Sequence, residues 1–217
     1  MITFDEQQRV FHLKNKEISY LFSVEEGNIL SHLYFGPAIR NYHGERRYPR
    51  VDRGFSGNLP GSMDRTYSKD DLLQEYSGNN TGDYRVPAII IKTENGSRLT
   101  DFRYKSYKIL PGKPKLAGLP ASYVKSDKEA ETLEVTLVDE TIGAQLILSY
   151  TIYNERPVIT RNARLVNTSN QELRIEKIAS VQLDLTKHDY DVISVPGQYA
   201  LERQPERQEL RRGITEF

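Results

Sequence analysis

Residues 129–153 read EAETLEVTLVDETIGAQLILSYTIY and alternate apolar with polar side chains twice in succession. The first half places apolar residues at every second position, namely Leu133, Val135 and Leu137. The second half does the same with Ala144, Leu146, Leu148, Tyr150 and Ile152. A period of two is typical of a strand with one buried face, because successive side chains point to opposite sides of a sheet. Two long strands joined by a short turn indicate an antiparallel sheet.

Shorter runs with the same pattern cover most of the chain and indicate an all-β fold. We predict an antiparallel β-sandwich of roughly a dozen or more strands. Its predicted core contains Ala144, Leu146, Leu148, Ile159, Leu165 and Val181. Asn95-Gly96 predicts a tight hairpin between Ala88–Thr93 and Leu99–Leu110. Leu173–Leu185 is predicted as one long strand, bulged near Ala179. A helix is predicted only at Ser68–Tyr76, where Ser68 and Asp71 match a capping box.

The alternation stops between Tyr48 and Pro87, in a segment rich in Asp, Arg, Asn and Tyr. A connection of about 40 residues is far longer than the usual 2–6, and loops of that length are commonly functional or disordered. The tyrosines favour an ordered loop, since disordered segments have few aromatic residues. These side chains suit sugar recognition, but a plain surface loop over one end of a sheet explains the residues equally well.

The overall composition excludes several function classes. The 217 residues carry 30 Lys and Arg against 30 Asp and Glu, so net charge offers no general attraction to nucleic acid or to an anionic membrane. The sequence has no run of about 18 apolar residues, which is the length needed to span a membrane. The chain has no cysteine, which suits a reducing compartment, and no apolar leader is visible. We expect a soluble, cytoplasmic protein without nucleic-acid or membrane partners.

No catalytic or cofactor motif stands out in the residues. The four histidines, His12, His32, His43 and His188, have no metal-ligand spacing, and His12 and His32 are interpreted as structural. Phosphate-binding loops and nucleophile elbows are absent. We therefore predict no metal, no cofactor and no catalytic residue in this chain.

A resemblance to a known family covers nearly the whole chain in collinear order. It is carried by residues 48–76 (YPRVDRGFSGNLPGSMDRTYSKDDLLQEY), 82–88 (GDYRVPA), 101–124, 129–153 and 157–167. These segments resemble the N-terminal domain of bacterial α-galactosidases of glycoside hydrolase family 36. The resemblance implies a β-supersandwich like that of galactose mutarotases, over residues 1–200. Residues 201–217 would then form a linker to a missing (β/α)₈ catalytic barrel, which carries the two catalytic aspartates of a retaining mechanism.

The resemblance also implies a role for the long loop. In tetrameric members, the N-terminal domain of one subunit reaches the active site of a neighbour. The matching positions are Asp52 in R-V-D-R and Arg65 in M-D-R-T, and both would bind the sugar beyond the cleaved galactose of a galactoside. The alternative is that Asp52 and Arg65 pair with Arg53 or Asp64 on a solvated surface.

Two other functions stay open at this stage. One is a free-standing sugar-binding β-sandwich without an attached enzyme. The other is an aldose-epimerase-like enzyme, which needs a His acid and a Glu base at a sugar ring. His188 with Glu202 or Glu206 could supply them, although their spacing does not favour it. The tail Leu201–Phe217 is polar, and we predict no strand in it.

Overall fold

The computed structural model describes residues 1–44, 48, 50–52, 54–55, 57–79, 82–118, 121–185, 189–211 and 213. The chain divides into two compact units, Met1–Asp184 and Leu185–Phe217. Within the described residues, no helix is long and apolar enough to cross a membrane.

Antiparallel strands make up nearly all the regular structure of the unit Met1–Asp184. The strands are β1 (Ile2–Asp5), β2 (Val10–Lys14), β3 (Ile18–Val24), β4 (Leu30–Pro37), β5 (Ile89–Thr93), β6 (Arg103–Pro111), β7 (Ala130–Asp139), β8 (Ala144–Tyr153), β9 (Ile159–Asn167) and β10 (Leu173–Ile178). One sheet has the order β1-β2-β3-β4, a second has β6-β7-β8-β9, and β5 pairs with β10. Short 3₁₀ turns occur at Glu26–Asn28, Lys69–Asp71 and Asp127–Glu129. The all-β antiparallel prediction is confirmed.

The two four-stranded sheets share one aromatic and aliphatic core. Phe22 of β3 stacks on Tyr150 of β8 with ring centroids 5.0 Å apart, and Phe11 of β2 lies 5.0 Å from Tyr107 of β6. Of the predicted core residues, Ala144, Leu146 and Leu148 are fully buried. Ile159 and Leu165 are half-buried and pack against the same core. Val181 was predicted to be buried, and this is wrong, because its side chain is 46% exposed.

The prediction of a hairpin at Asn95-Gly96 is also wrong. A turn forms there, with Gly96 at a φ of 87° and the Asn95 side chain accepting the Ser97 N–H at 3.0 Å. The chain then turns away, so that β5 pairs with β10 and not with the next strand along the sequence. Ile89 and Ile91 are completely buried. Long-range pairing of a buried strand therefore outweighs the local hairpin signal.

The helix predicted at Ser68–Tyr76 is replaced by a single 3₁₀ turn at Lys69–Asp71. Ser68 is extended and makes no capping hydrogen bond with its side chain. The following residues pair with the start of β4, since Gln74 forms an isolated bridge with Ser31 and the Glu75 N–H donates to Leu30 O at 3.2 Å. Strand-like pairing of this segment is incompatible with a helix.

The strand predicted over Leu173–Leu185 ends early. Strand β10 stops at Ile178, and its register shift falls between Ile175 and Lys177 instead of near Ala179. The residues beyond β10 bind the long loop. Gln182 Oε1 accepts the Ser77 N–H at 2.6 Å and Asp184 Oδ2 accepts the Gln74 N–H at 2.7 Å. This use of the segment explains why Val181 faces solvent.

The unit Leu185–Phe217 contains a short hairpin of its own. Strand β11 (Asp191–Ser194) pairs with β12 (Glu206–Glu209), with Asp191 opposite Glu209 and Ser194 opposite Glu206. The prediction that the tail has no strand is therefore wrong. The domain boundary predicted at residue 200 stays a prediction.

Candidate functional site

The long loop is held at its base by a completely buried carboxylate. We call residues 67–77 the loop base. Glu75, with no exposed surface, accepts the Tyr20 hydroxyl at 2.6 Å, and Arg161 Nη2 lies 2.8 Å from the same Oε1 atom. His32 Nδ1 lies 3.4 Å from the other carboxylate oxygen. The loop base is thus bonded to β3, β4 and β9 at one point inside the sandwich.

Arg161 connects Glu75 to the rest of the core. Its Nη1 donates to Gln182 O at 2.8 Å and to the Tyr20 hydroxyl at 3.1 Å. Its guanidinium carbon lies 4.7 Å from the centre of the Tyr150 ring, a cation–π contact. A planar guanidinium can make these contacts simultaneously, which a lysine could not.

Electrostatics around Glu75 keep it ionised. Burial by itself would raise the pKa of Glu75, but the charge of Arg161 and the contacts with His32 and Tyr20 together outweigh burial and hold it below its usual value. Burial, reinforced by the Glu75 charge, raises the pKa of Tyr20 and Tyr150 well above the ordinary range. The cluster is therefore a buried Glu–Arg ion pair with two neutral tyrosines.

The returning part of the loop adds further bonds to the base. Asp83 Oδ1 lies 2.8 Å from Arg85 Nε, and Arg85 also forms an ion pair with Asp184. The Arg85 Nη2 donates to the backbone carbonyls of Lys69 and Leu72 at 3.0 and 2.8 Å. These contacts bond the base to itself and to the segment after β10.

The described residues of the loop tip, defined as residues 50–66, are mostly more exposed than the base, apart from the buried Leu59. Asp52 and Arg65 are paired with each other, with 3.2 Å between Asp52 Oδ1 and Arg65 Nε and side chains 59% and 57% exposed. Asp64 does not pair with Arg65; it lies 3.2 Å from Arg50 Nη1. Arg53 lies outside the described residues. The two predicted site residues are thus brought together, and their role in sugar binding stays a prediction.

Arg50 connects the tip to the sandwich. Its Nη2 lies 2.8 Å from Glu26 Oε2, and its guanidinium carbon lies 4.1 Å from the centre of the Tyr67 ring. Tyr67 itself belongs to a small buried cluster with Ile29, Leu59 and Leu72. Arg50 therefore fixes the beginning of the tip, while Asp52 lies just beyond it.

Large apolar side chains of the tip project into solvent. Phe55 and Met63 are almost fully exposed, and Val51 is half exposed. Exposed apolar side chains mark a contact surface where they form one contiguous patch. The tip therefore combines polar groups suited to hydroxyls with apolar groups suited to a macromolecular surface.

His12 and His32, interpreted as structural from the sequence, are both buried in strands of the sandwich. His12 Nε2 lies 2.9 Å from Ser19 Oγ, and burial, assisted by the Lys14 charge, lowers the pKa of His12 to about 4. No group of three or more His, Cys, Asp or Glu residues within the described chain is arranged to hold a metal ion. His188 lies outside the described residues, so the epimerase-like pairing with Glu202 or Glu206 has no geometry here.

The fold and the loop together define an antiparallel β-sandwich domain that displays a firmly anchored loop. Residues 28–217 match the family described as "Glycosyl hydrolase family 36 N-terminal domain". The chain belongs to this family.

Similar proteins agree with this assignment. The chain is 50% identical over its whole length to alpha-galactosidase 1 of Pediococcus pentosaceus, and 43% identical over 98% of its length to alpha-galactosidase AgaA of Geobacillus stearothermophilus. It spans 30% and 29% of these two proteins, respectively.

Solved structures show the same fold. The crystal structure of the family 36 alpha-galactosidase AgaB from Geobacillus stearothermophilus matches with a TM-score of 0.92 at 42% identity, over 98% of this chain and 29% of that one. An AgaA variant in complex with raffinose matches with a TM-score of 0.89 at 45% identity, over 94% of this chain and 28% of that one.

Glu75 and Arg161 are not among the site residues predicted from the sequence. A signal was present, because Arg161 shares a strand face with the apolar residues Ile159, Ala163 and Leu165. A charge on such a face requires a buried partner of opposite charge. The sequence does not indicate that this partner lies in the long loop.

Proposed function

We propose that this chain is the non-catalytic N-terminal domain of an α-galactosidase that hydrolyses terminal α-linked galactose from melibiose and raffinose-type sugars. In this proposal residues 1–200 form the sandwich domain, and residues 201–217 lead to a catalytic barrel. Support comes from the α-galactosidase relatives and from AgaA variants in complex with raffinose and with stachyose. Catalytic residues would belong to the barrel.

We further propose that the loop tip acts in a neighbouring subunit of a homotetramer. Asp52 and Arg65 would bind the leaving-group sugar, while Phe55 and Met63 would contact the neighbour. The observation that carries this proposal is the exposure of the Asp52–Arg65 pair, 59% and 57%. Exposed pairs contribute only about 0–1 kcal/mol, so a ligand can replace their mutual contact at little cost. A carboxylate accepts and a guanidinium donates several hydrogen bonds to sugar hydroxyls.

Two substrates separate this role from simple damage to the enzyme. In the full-length protein, Asp52→Ala and Arg65→Ala should lower kcat/KM for raffinose roughly 5- to 150-fold, as expected for the loss of a buried polar contact worth about 1–3 kcal/mol. An aryl α-galactoside, whose leaving group has few hydroxyls, should be hydrolysed almost as fast as by the unmodified enzyme.

The matched control is Lys16→Ala, which removes another exposed ion pair (Lys16 Nζ to Glu155 Oε1, 3.8 Å) outside the loop. It should affect neither substrate, and gel filtration should show the same assembly for all variants. Equal losses on both substrates with the assembly intact would show that Asp52 and Arg65 are not leaving-group contacts. No loss on either would favour the surface-pair alternative.

Because the catalytic residues are proposed to belong to the barrel, a second result is expected. The 217-residue chain alone should release no galactose from an aryl α-galactoside, whereas the full-length protein should do so without added metal. Turnover by the isolated chain that is abolished by replacing one of its carboxylates would place the catalytic groups here.

A further inference from the structure

The outer face of the β6–β9 sheet carries two adjacent rows of polar side chains. Cross-strand neighbours in the first row are Lys108, Glu134, Ser149 and Asn162, and in the second they are Thr132, Thr151 and Thr160. Directly opposite residues in antiparallel strands have Cβ atoms about 4.5–5.5 Å apart, so the rows form a continuous polar floor.

This floor is covered, which is unusual for the solvent side of a sheet. Thr132 and Thr151 are nearly completely buried, although their strand neighbours Leu133 and Tyr150 face the core on the opposite side. The segment after β6 provides the cover, including Lys113, Pro114 and Leu116, together with Ala121 and Ser122. Between this cover and the floor lies a partly open cleft of about 240 Å³. At about 30 Å³ per water molecule, the cleft has room for about eight waters.

The polar groups of the cleft are of two kinds. Thr132 Oγ1 is bonded to Thr151 Oγ1 and to Gly112 O, both at 2.7 Å, so these hydroxyls stabilise the fold. In contrast, the side chains of Ser149, Thr160 and Asn162 make no hydrogen bond with any described residue. These three side chains are half-exposed, so water or a bound molecule can be their hydrogen-bond partner.

Charge balance indicates the chemistry of that molecule. The Glu134 side chain is only 12% exposed, and Lys108 Nζ lies 2.8 Å from its Oε2. The Glu134–Lys108 pair has no net charge, and Arg161, which also lines the cleft, is paired with Glu75, so neither pair selects an ion. Lys113 on the opposite wall disfavours a cation. Pro114, Leu116 and Ala121 supply an apolar wall for carbon-bound hydrogens. We propose that this cleft binds a neutral, hydroxyl-rich molecule of about one sugar unit, at a site separate from Asp52 and Arg65 and independent of the function proposed for them.

Nuclear magnetic resonance titration of the ¹⁵N-labelled chain tests the cleft directly. The probes are D-galactose and myo-inositol, with acetate and phosphate as anionic comparisons. A small polar ligand of ordinary efficiency should bind with a Kd of ~1–10 mM. The expected result is saturable shifts for D-galactose or myo-inositol, concentrated at the amides of β7, β8, β9 and residues 113–118.

Matched variants assign the binding to the polar floor. Thr160→Val and Asn162→Ala should each weaken binding ~5-fold or more, and Glu134→Gln ~10-fold, because hydrogen bonds to a charged group are stronger. Thr136→Val is the control, since Thr136 shares the face of Thr132 and Glu134 but lies outside the cleft, and it should bind within about twofold of the unmodified chain. The amide spectra show whether each variant is folded.

Four results would overturn the proposal. They are an absence of saturable shifts with both neutral probes up to ~50 mM, shifts centred on the loop tip, unchanged affinity in folded cleft variants, and cleft shifts with acetate or phosphate alone.

Discussion

An arginine–carboxylate pair anchors the base of the long loop to β9, another such pair lies exposed in the tip, and the two pairs have opposite surroundings. Arg161 and Glu75 are 8% and 0% exposed with 2.8 Å between their charged atoms, whereas Arg65 and Asp52 are 57% and 59% exposed with 3.2 Å between theirs. Inside the sandwich, water cannot solvate a charge that has lost its partner. Removing one member of the buried pair therefore costs much free energy. At the surface, water and salt screen the attraction. The same chemical pair therefore fixes the loop in one place and stays available to a ligand in the other.

This comparison predicts its largest effect on stability at Arg161. Arg161→Ala leaves Glu75 buried without its cation and should lower the free energy of unfolding by about 3–5 kcal/mol. For a domain of this size the midpoint of thermal unfolding should fall by about 6–20 °C. Arg65→Ala in the tip should change the unfolding free energy by less than about 1 kcal/mol. Thermal and urea unfolding of both variants measure the difference.

Arg161→Lys gives a less disruptive check of the same pair. It keeps the positive charge but cannot reproduce all the contacts of the guanidinium, so its loss of stability should lie between those of the unmodified chain and Arg161→Ala. Similar unfolding free energies for Arg161→Ala and Arg65→Ala would remove the distinction between base and tip.

A smaller effect is expected in the pH dependence of stability. The pKa of Glu75 is below its ordinary value of 4.5 in the folded chain, so the unfolded chain binds more protons once the pH falls below about that value. The stabilisation from Glu75 is therefore complete above pH 4.5 and is lost as the pH falls through the folded pKa. Glu75→Gln should be less stable at neutral pH and should lose less stability on acidification.

Urea unfolding at about pH 6 and about pH 3.5 measures how the free energy of unfolding changes with pH. These two pH values lie on either side of the ordinary pKa of a glutamate. Asp52→Asn in the tip is the control and should keep the acid dependence of the unmodified chain. A slope for Glu75→Gln as steep as that of the unmodified chain would mean that another carboxylate causes the acid sensitivity.

How well the sequence predicts the structure depends on whether the contacts are local. Strands β7 and β8 were predicted well, because their alternation is long and each pairs with the next strand along the chain. Three of the incorrect predictions involve the Asn95-Gly96 hairpin, the helix at Ser68–Tyr76 and the strand beyond Ile178. Each segment adjoins the loop base or pairs with a strand distant in sequence, and there long-range partners override local propensity.

The residues of the candidate site were also difficult to predict from the local sequence. Asp52 and Arg65 were found only through resemblance to a family, because exposed charged residues in a loop have no distinguishing pattern. Glu75 is one of several acidic residues in its segment, and nothing local marks it as buried. Only the charge of Arg161 on an apolar strand face indicated that a partner was required.

Hydrogen exchange of backbone amides tests most directly whether the loop has a fixed base and an exposed tip. The amides of Gln74, Glu75 and Ser77 donate to Asp184, Leu30 and Gln182 at 2.7, 3.2 and 2.6 Å. They should exchange at least ~100-fold more slowly, relative to their intrinsic rates, than the amides of Gly54 and Phe55 in the tip. Arg161→Ala should remove most of this protection, while Arg65→Ala should leave it unchanged. Equal exchange in base and tip, or protection that persists without Arg161, would contradict the account.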